Sequence, residues 1–307
     1  MTAAKMIGID WGTSSMRAYL LGNEGAILAK RERPLGIMAV AAGDFGGALQ
    51  GVIGDWLHPG GSAVYMSGMI GSRQGWREVP YLATPVAFDQ LAGGLGEVKL
   101  VGGGTGFIVP GVTCEDASGD PDVMRGEETQ ILGALSTRSG GEIVPMTYCL
   151  PGTHSKYASV RDGHLSGFAT YMTGEAYAIL REHSILGRLM RAGTKTDPAW
   201  FERGLARSGG DDGLLHQLFG VRSLGLFGKI PGEGLADYLS GLLVGAEIRA
   251  ARPTPPIAVI GAPDLARRYL SAFALLGIDA HAVEGEAAAA GLWQIARRHG
   301  AATGIAR

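Results

Sequence analysis

The chain has 307 residues, of which 46% are hydrophobic, 18% charged and 51 glycine. That is a globular composition with many tight turns, long enough for two domains. A formal net charge of −2 leaves no basic surplus for nucleic-acid binding. Only Cys114 and Cys149 are present, too few for a disulfide framework, so a reducing cytoplasm is expected.

In chain order, Met1–Lys5 leads into a strand without a signal-peptide core. Met6–Asp10, Met16–Leu21 and Ala26–Arg31 then read as a β-meander, with Gly22-Asn23-Glu24-Gly25 as turn chemistry. Its first tip is Gly12-Thr13-Ser14-Ser15. Glycine permits close backbone approach to a ligand, and hydroxyls and N–H groups supply donors, so Gly12, Thr13 and Ser14 are candidate phosphate ligands. Asp10 ends the apolar strand before it, where an unpaired carboxylate is expensive to bury. A hydrated Mg²⁺ beside a nucleotide would account for it; an Asx-type turn within its own loop is the plain alternative.

Asp44 to Leu57 fits a helix with Asp44 as N-cap. After the strand Ala63–Ser67 comes a polar, Gly-rich loop, Gly68 to Trp76. Met69, Gly71, Ser72, Arg73 and Trp76 there suit a small polyhydroxy acid, with Trp76 as a platform and Arg73 or Arg77 for a carboxylate. The plain alternative is a solvated loop with Trp76 tucked into the core. Val98 to Val112 reads as a strand region interrupted by Gly102-Gly103-Gly104. At Arg125-Gly126-Glu127-Glu128 two carboxylates open a helix, a position that helix polarity favours in any protein. The functional alternative makes one of them a general base for a hydroxyl.

A hinge is expected near Ser136–Glu142. The strand Met146–Leu150 then runs into Pro151-Gly152-Thr153-His154-Ser155-Lys156, a second Gly-Thr-x-Ser tip about 140 residues after the first. Gly152, Thr153, His154 and Ser155 are candidate phosphate ligands, and Lys156 is a point charge for phosphate or an anionic substrate. A surface lysine and a hydrogen-bonded loop histidine on an ordinary hairpin are the alternatives. Met172-Thr173-Gly174-Glu175 opens a helix, and helical patterning continues to about Ala251. The end reads strand (Ile257–Ile260), helix (Asp264–Leu276), strand (Asp279–Val283), helix (Ala287–His299). Gly261-Ala262, between strand and helix, can receive adenosine or phosphate. Ala287 to Trp293 is too short to span a bilayer, so no membrane role is expected. Walker A, H-E-x-x-H, zinc-type and G-x-S-x-G patterns are absent. Runs of strands followed by helices, repeated, predict a duplicated α/β fold with mixed sheets.

Taken in order, these residues resemble the sugar kinase/Hsp70/actin superfamily. Asp10–Ser14 is similar to its first phosphate motif, Pro151–Ser155 to its second, Gly261-Ala262 to its adenosine motif, and Glu284–Gly291 to its small-residue hinge helix. Within it the chain resembles the 2-dehydro-3-deoxygalactonokinase family over essentially its whole length. The segments Gly68–Ser72 with Gly75-Trp76, Met124–Gln130, Pro151–Lys156, Met172–Glu175 and Leu239–Glu247 carry that resemblance. It implies a two-domain actin-like ATPase (ribonuclease H-like) α/β fold with mixed sheets flanked by helices and a nucleotide cleft between domains. The domains expected are 1–140 and 141–285, with the helix 286–307 packing back on the first.

The implied reaction is ATP- and Mg²⁺-dependent phosphorylation of the C6 hydroxyl of 2-dehydro-3-deoxy-D-galactonate, in galactonate catabolism. Glu127, following Gly126 where carbohydrate kinases usually present an Asp, would be the base, with Glu128 as its rival. Asp10 would position Mg²⁺ through water. The Met69–Trp76 loop, with Arg125 and Lys156, would hold the sugar acid. In a second departure from the superfamily, Ala262 and Pro263 stand where a paired glycine is usual. The partners are then ATP and a small sugar acid, and a homodimer is compatible with the sequence. A kinase for another sugar or sugar acid, or an actin- or Hsp70-like ATPase, are the other readings; a sugar-sensing regulator would need a DNA-binding segment that the chain does not show.

Overall fold

The computed structural model describes residues 6–57, 63–137, 145–192 and 197–303. Met1–Lys5 and all but the first two residues of the expected hinge Ser136–Glu142 lie outside them. Two compact units form: residues 1–145, 160–167 and 283–307, and residues 146–159 and 168–282.

In the first unit the meander is β1 (Met6–Trp11), β2 (Met16–Leu21) and β3 (Ile27–Arg33). Asp44 Oδ1 accepts from the Gly47 N–H at 2.8 Å and caps α1 (Phe45–Ile53). There follow β4 (Ala63–Ser67), β5 (Leu82–Ala83), β6 (Val86–Ala87), α2 (Phe88–Gly93), β7 (Gly96–Lys99), β8 (Thr105–Ile108), β9 (Val112–Glu115), β10 (Pro121–Met124) and α3 (Glu127–Ser136). The main sheet has the order β3-β2-β1-β4-β8-β7, with β4 parallel to both β1 and β8. The expected strand region Val98–Val112 is a β7–β8 hairpin turning at Gly102–Gly104, where positive φ is needed, followed by a separate β9. β10, β9 and β5 form a small second sheet.

Every residue of β1 is buried. Ile7, Ile9 and Trp11 point to the face covered by Leu49 and Ile53 of α1, and join Val64, Met66 and Ile108 in one core. Alternation sends Gly8 and Asp10 to the opposite face, where Gly8 meets Leu292.

The second unit holds β11 (Met146–Leu150), most of β12 (Ser155–Arg161), the second half of β13 (His164–Tyr171), α4 (Thr173–His183), α5 (Pro198–Arg207), α6 (Leu214–Leu226), α7 (Leu235–Ala251), β14 (Ile257–Val259), α8 (Pro263–Leu275) and β15 (Ala280–Ala282). Its sheet order is β15-β14-β11-β12-β13, with β14 parallel to β11 and β15. A meander followed by parallel strands thus occurs in each unit. The turn of the β12–β13 hairpin belongs to the first unit, where His164 and Leu165 pair with β6. The last helix, α9 (Ala287–Thr303), also belongs to the first unit and packs on α3.

Each unit is built on a helix crossing at glycine. A Cβ on Gly133 of α3 would stand 1.9 Å from the Ala287 carbonyl oxygen, and one on Gly291 of α9 would stand 1.9 Å from that of Thr129. Gly204 of α5 and Gly241 of α7 meet Tyr238 and Phe201 in the same way. No described helix is long and apolar enough to cross a membrane.

Candidate active site

In the first unit the candidate residues collect at the C-terminal ends of β1 and β4, the end of a parallel pair where ligands usually sit. Asp10 and Ser67 are register partners there and share a face. Asp10 is 8% exposed, and its Oδ2 has no hydrogen-bond partner. Arg17 Nη2 lies 3.1 Å away, close enough for an ion pair though not aligned as a hydrogen bond. Burial raises the Asp10 pKa, Arg17 opposes the shift and Glu286 adds to it. No Asx hydrogen bond from Asp10 to its own loop accounts for this oxygen. The tip beyond it is tied down by its backbone, Gly12 N–H to the Ser15 carbonyl at 2.9 Å and Ile37 N–H to the Gly12 carbonyl at 3.0 Å. Trp11 Nε1 donates to the Leu35 carbonyl, and Thr13 and Ser14 stay exposed.

Opposite the end of β4, Gly126 opens α3 at φ 113° and approaches Gly68, itself at φ 95°. Both conformations are open to glycine and strained for other residues. This close approach sets the start of α3 beside the end of β4, and the two carboxylates there differ. Glu128 is wholly buried, accepting from the Gly126 N–H at 2.7 Å and the Thr129 hydroxyl at 3.0 Å. Glu127 is half-buried and accepts from the Arg125 N–H at 3.0 Å.

Burial, with the Glu127 charge beside it, pushes the Glu128 pKa up to about 7. The folded state therefore holds a proton that the unfolded chain, near 4.5, releases. The stability this contributes is fully present below about pH 4.5 and is lost as pH rises through about 7. Urea unfolding at a series of pH values is expected to show that decline in the wild type. In Glu128→Gln it should shrink by an amount on the order of 3 kcal/mol at most; identical slopes in the two proteins would remove Glu128 as its source.

Of the four cations considered for a carboxylate, three are engaged. Arg73 is exposed and faces Glu78 at 3.5 Å. Arg77 is exposed and donates to the Glu97 carbonyl. Lys156, in the second unit, is buried and donates to Thr170 Oγ1 at 2.8 Å. Arg125 is 7% exposed, gives Nη2 to the Val79 carbonyl at 2.8 Å and stacks on Tyr81 at 4.2 Å. Its Nε and Nη1 have no acceptor, and neither do the buried hydroxyls of Ser67 and Ser72. The Met69–Gly71 segment is a 3-10 turn. Gly71 is buried beside Arg125 Nη1, and Met69 and Trp76 are half-buried against the first core, Trp76 beside Gly46. Tyr81 and Ser67 were not singled out from sequence, since an exposed tyrosine and a strand-end serine carry no local signal.

In the second unit the tip Gly152–Ser155 is backed by the start of α4. A Cβ on Gly174 would meet the Gly152 carbonyl oxygen at 2.2 Å, and the Glu175 N–H donates to the Thr153 carbonyl at 2.9 Å. His154 Nε2 contacts Glu175 Oε2 at 2.5 Å. Thr153 and His154 are exposed and Gly152 half-buried. Ser155 differs from the expectation of a phosphate-facing hydroxyl: it is fully buried, with Oγ 3.0 Å from the Tyr269 hydroxyl. It is the first residue of β12, and that position turns its side chain into the core. Gly261 lies exposed beside Pro151, and Ala262 is the N-cap of α8 with Pro263 at its first turn. N–H groups without helical partners are therefore available there.

Among the described residues no group of three or more His, Cys, Asp or Glu is assembled to hold a metal. The buried Asp10 Oδ2, which has no hydrogen-bond partner, fits an Mg²⁺ carried mainly by phosphates and water.

A family model described as 2-keto-3-deoxy-galactonokinase matches residues 10–295. The 2-dehydro-3-deoxygalactonokinase of Escherichia coli (strain K12) is 34% identical over 290 residues, covering 93% of this chain and 94% of that one. A crystal structure of a 2-dehydro-3-deoxygalactonokinase-type protein from Sinorhizobium meliloti superposes with a TM-score of 0.84 at 33% identity, covering 95% and 98% of the two chains. At the level of fold alone, the activator of 2-hydroxyisocaproyl-CoA dehydratase from Clostridium difficile, with bound ADPNP, matches at a TM-score of 0.53 and 10% identity over 99% and 98%. The mixed α/β fold expected from the sequence is thus one that the chain shares with this activator. The match spans both Gly-Thr-x-Ser tips and the Arg125–Glu128 segment, and the chain belongs to the 2-keto-3-deoxy-galactonokinase family.

Proposed function

We propose that the chain transfers the γ-phosphoryl group of ATP to the C6 hydroxyl of 2-dehydro-3-deoxy-D-galactonate, a step in galactonate catabolism. The observation that carries this is the family match over residues 10–295, joined to 34% identity with the Escherichia coli kinase. Gly12, Thr13 and Ser14, with Gly152, Thr153 and His154, hold the phosphates through backbone N–H groups and exposed side chains. Ser155 contributes its backbone. Gly261 and Ala262, ahead of α8, receive the adenosine.

Glu127 orients the C6 hydroxyl and takes its proton as the C6 oxygen bonds to the γ-phosphorus and the bond to the β-phosphate oxygen breaks, releasing ADP. The burial of Glu128, locked to Gly126 and Thr129, favours Glu127 as the group that meets substrate. Asp10 would hold Mg²⁺ through water; that ion supplies neutralisation of phosphate charge. Among the cations, Arg125 is favoured for the substrate carboxylate because its Nε and Nη1 lack acceptors. Met69, Gly71, Ser72, Arg73 and Trp76 shape the same region, and Lys156 serves the phosphate side. Cys114 and Cys149, both buried and in no disulfide, suit the cytoplasm.

An ADP-release assay against a panel of aldonic acids, keto-deoxy acids and neutral hexoses tests this reading. We expect ADP release only with the acids and the highest kcat/KM with 2-dehydro-3-deoxy-D-galactonate. Preference for a neutral hexose, or turnover with no sugar acid, would overturn it.

A further inference from the structure

Glu247 is the one acidic residue between Asp237 and the end of α7, and it is 3% exposed. An isolated carboxylate inside an apolar helix needs partners. Glu247 Oε1 accepts from the Tyr157 hydroxyl at 2.9 Å and Oε2 from the Tyr269 hydroxyl at 2.9 Å. The hydroxyls of Ser155 and Thr173 face the same carboxylate, and Ser155 also meets the Tyr269 hydroxyl at 3.0 Å. A carboxylate offers about four lone-pair sites, and four hydroxyls converge on it.

What those hydroxyls belong to gives the arrangement its meaning. Ser155 ends the second Gly-Thr-x-Ser tip. Thr173 begins α4, whose Gly174 and Glu175 back Gly152 and Thr153. Tyr269 lies on α8, the helix that starts just after Gly261-Ala262. One buried acceptor therefore ties together the tip, the helix behind it and the helix beyond the adenosine candidates, all within the second unit.

We infer that Glu247 is a positioning residue for the ATP side of the reaction: it touches no substrate and fixes the Gly152–Ser155 tip at the spacing that phosphate binding needs. This rests on the kinase reading above. It also accounts for the inward turn of Ser155, whose hydroxyl is used to anchor the tip.

The test uses the full chain with Mg²⁺ and a non-hydrolysable ATP analogue, followed by calorimetry, beside steady-state kinetics. Glu247→Gln keeps the shape but replaces one acceptor oxygen with a donor. We expect analogue affinity to fall and the KM for ATP to rise at least tenfold, while the KM for the sugar acid stays within twofold. Tyr269→Phe removes the link to Ser155 without disturbing charge and should move ATP KM in the same direction by about threefold or more. It decides the matter if Glu247→Gln does not fold. A purely structural Glu247 would lower the melting temperature and leave both KM values unchanged, which would overturn the inference. Wild-type protein that binds no analogue would instead overturn the kinase reading on which it rests.

Discussion

Glu127→Gln is expected to lower kcat by about 10³-fold, within the 10²–10⁴ range typical of a lost general base, while leaving ATP-analogue affinity within twofold. The amide preserves the volume of the side chain at the start of α3 and can still accept from the Arg125 N–H. It cannot take a proton from the C6 hydroxyl. Because the interaction is used in the transition state and little in the ground state, the loss should fall on kcat more than on KM. Turnover within tenfold of wild type would remove Glu127 from the role and leave Glu128 as the carboxylate to test, its burial notwithstanding.

Gly133→Ala should have the largest effect on folding. The added methyl would stand 1.9 Å from the Ala287 carbonyl oxygen and 2.7 Å from the Gly291 nitrogen, both backbone atoms of α9 that cannot swing aside. Parting the helices opens packing all along the crossing, so a cost of about 3 kcal/mol is expected, at the upper end of ordinary overpacking. That is a fall in melting temperature of roughly 6–12 °C for a chain of this size. Adding Gly291→Ala should cost less than the sum of the two single changes, since both push the same helices apart. Gly51→Ala, on the exposed side of α1 with nothing within 4 Å, should instead stabilise by about 0.5–1 kcal/mol. Equal melting temperatures for Gly133→Ala and wild type would show that the crossing is looser than described.

The sequence carried much of this because period and turn chemistry are local. The meander, the Asp44 cap, the two Gly-Thr-x-Ser tips and the terminal strand-helix-strand-helix run all announce themselves within ten or fifteen residues. The short strands β5 and β6 do not, because two residues have no period to read. Pairing partners far along the chain are equally silent, as with Val86-Ala87 against His164-Leu165. At the site, residue types located the region but not the direction of each side chain. Ser155 looked like a phosphate ligand until its place at the head of β12 showed it bonded inward. Arg73, Arg77, Lys156 and Arg125 looked equivalent until the partners of the first three were visible. Glu247 carried a signal, a lone carboxylate in the apolar stretch of α7 after Asp237, but its four partners come from three separate segments, β12, α4 and α8.

The account centres on phosphoryl transfer to one hydroxyl of a sugar acid, and the bond formed is the thing to observe. Proton–phosphorus correlation NMR of the product made from ATP, Mg²⁺ and 2-dehydro-3-deoxy-D-galactonate should show the new phosphate coupled to the two protons on C6. Coupling to any other carbon, or ADP accompanied only by inorganic phosphate, would contradict it.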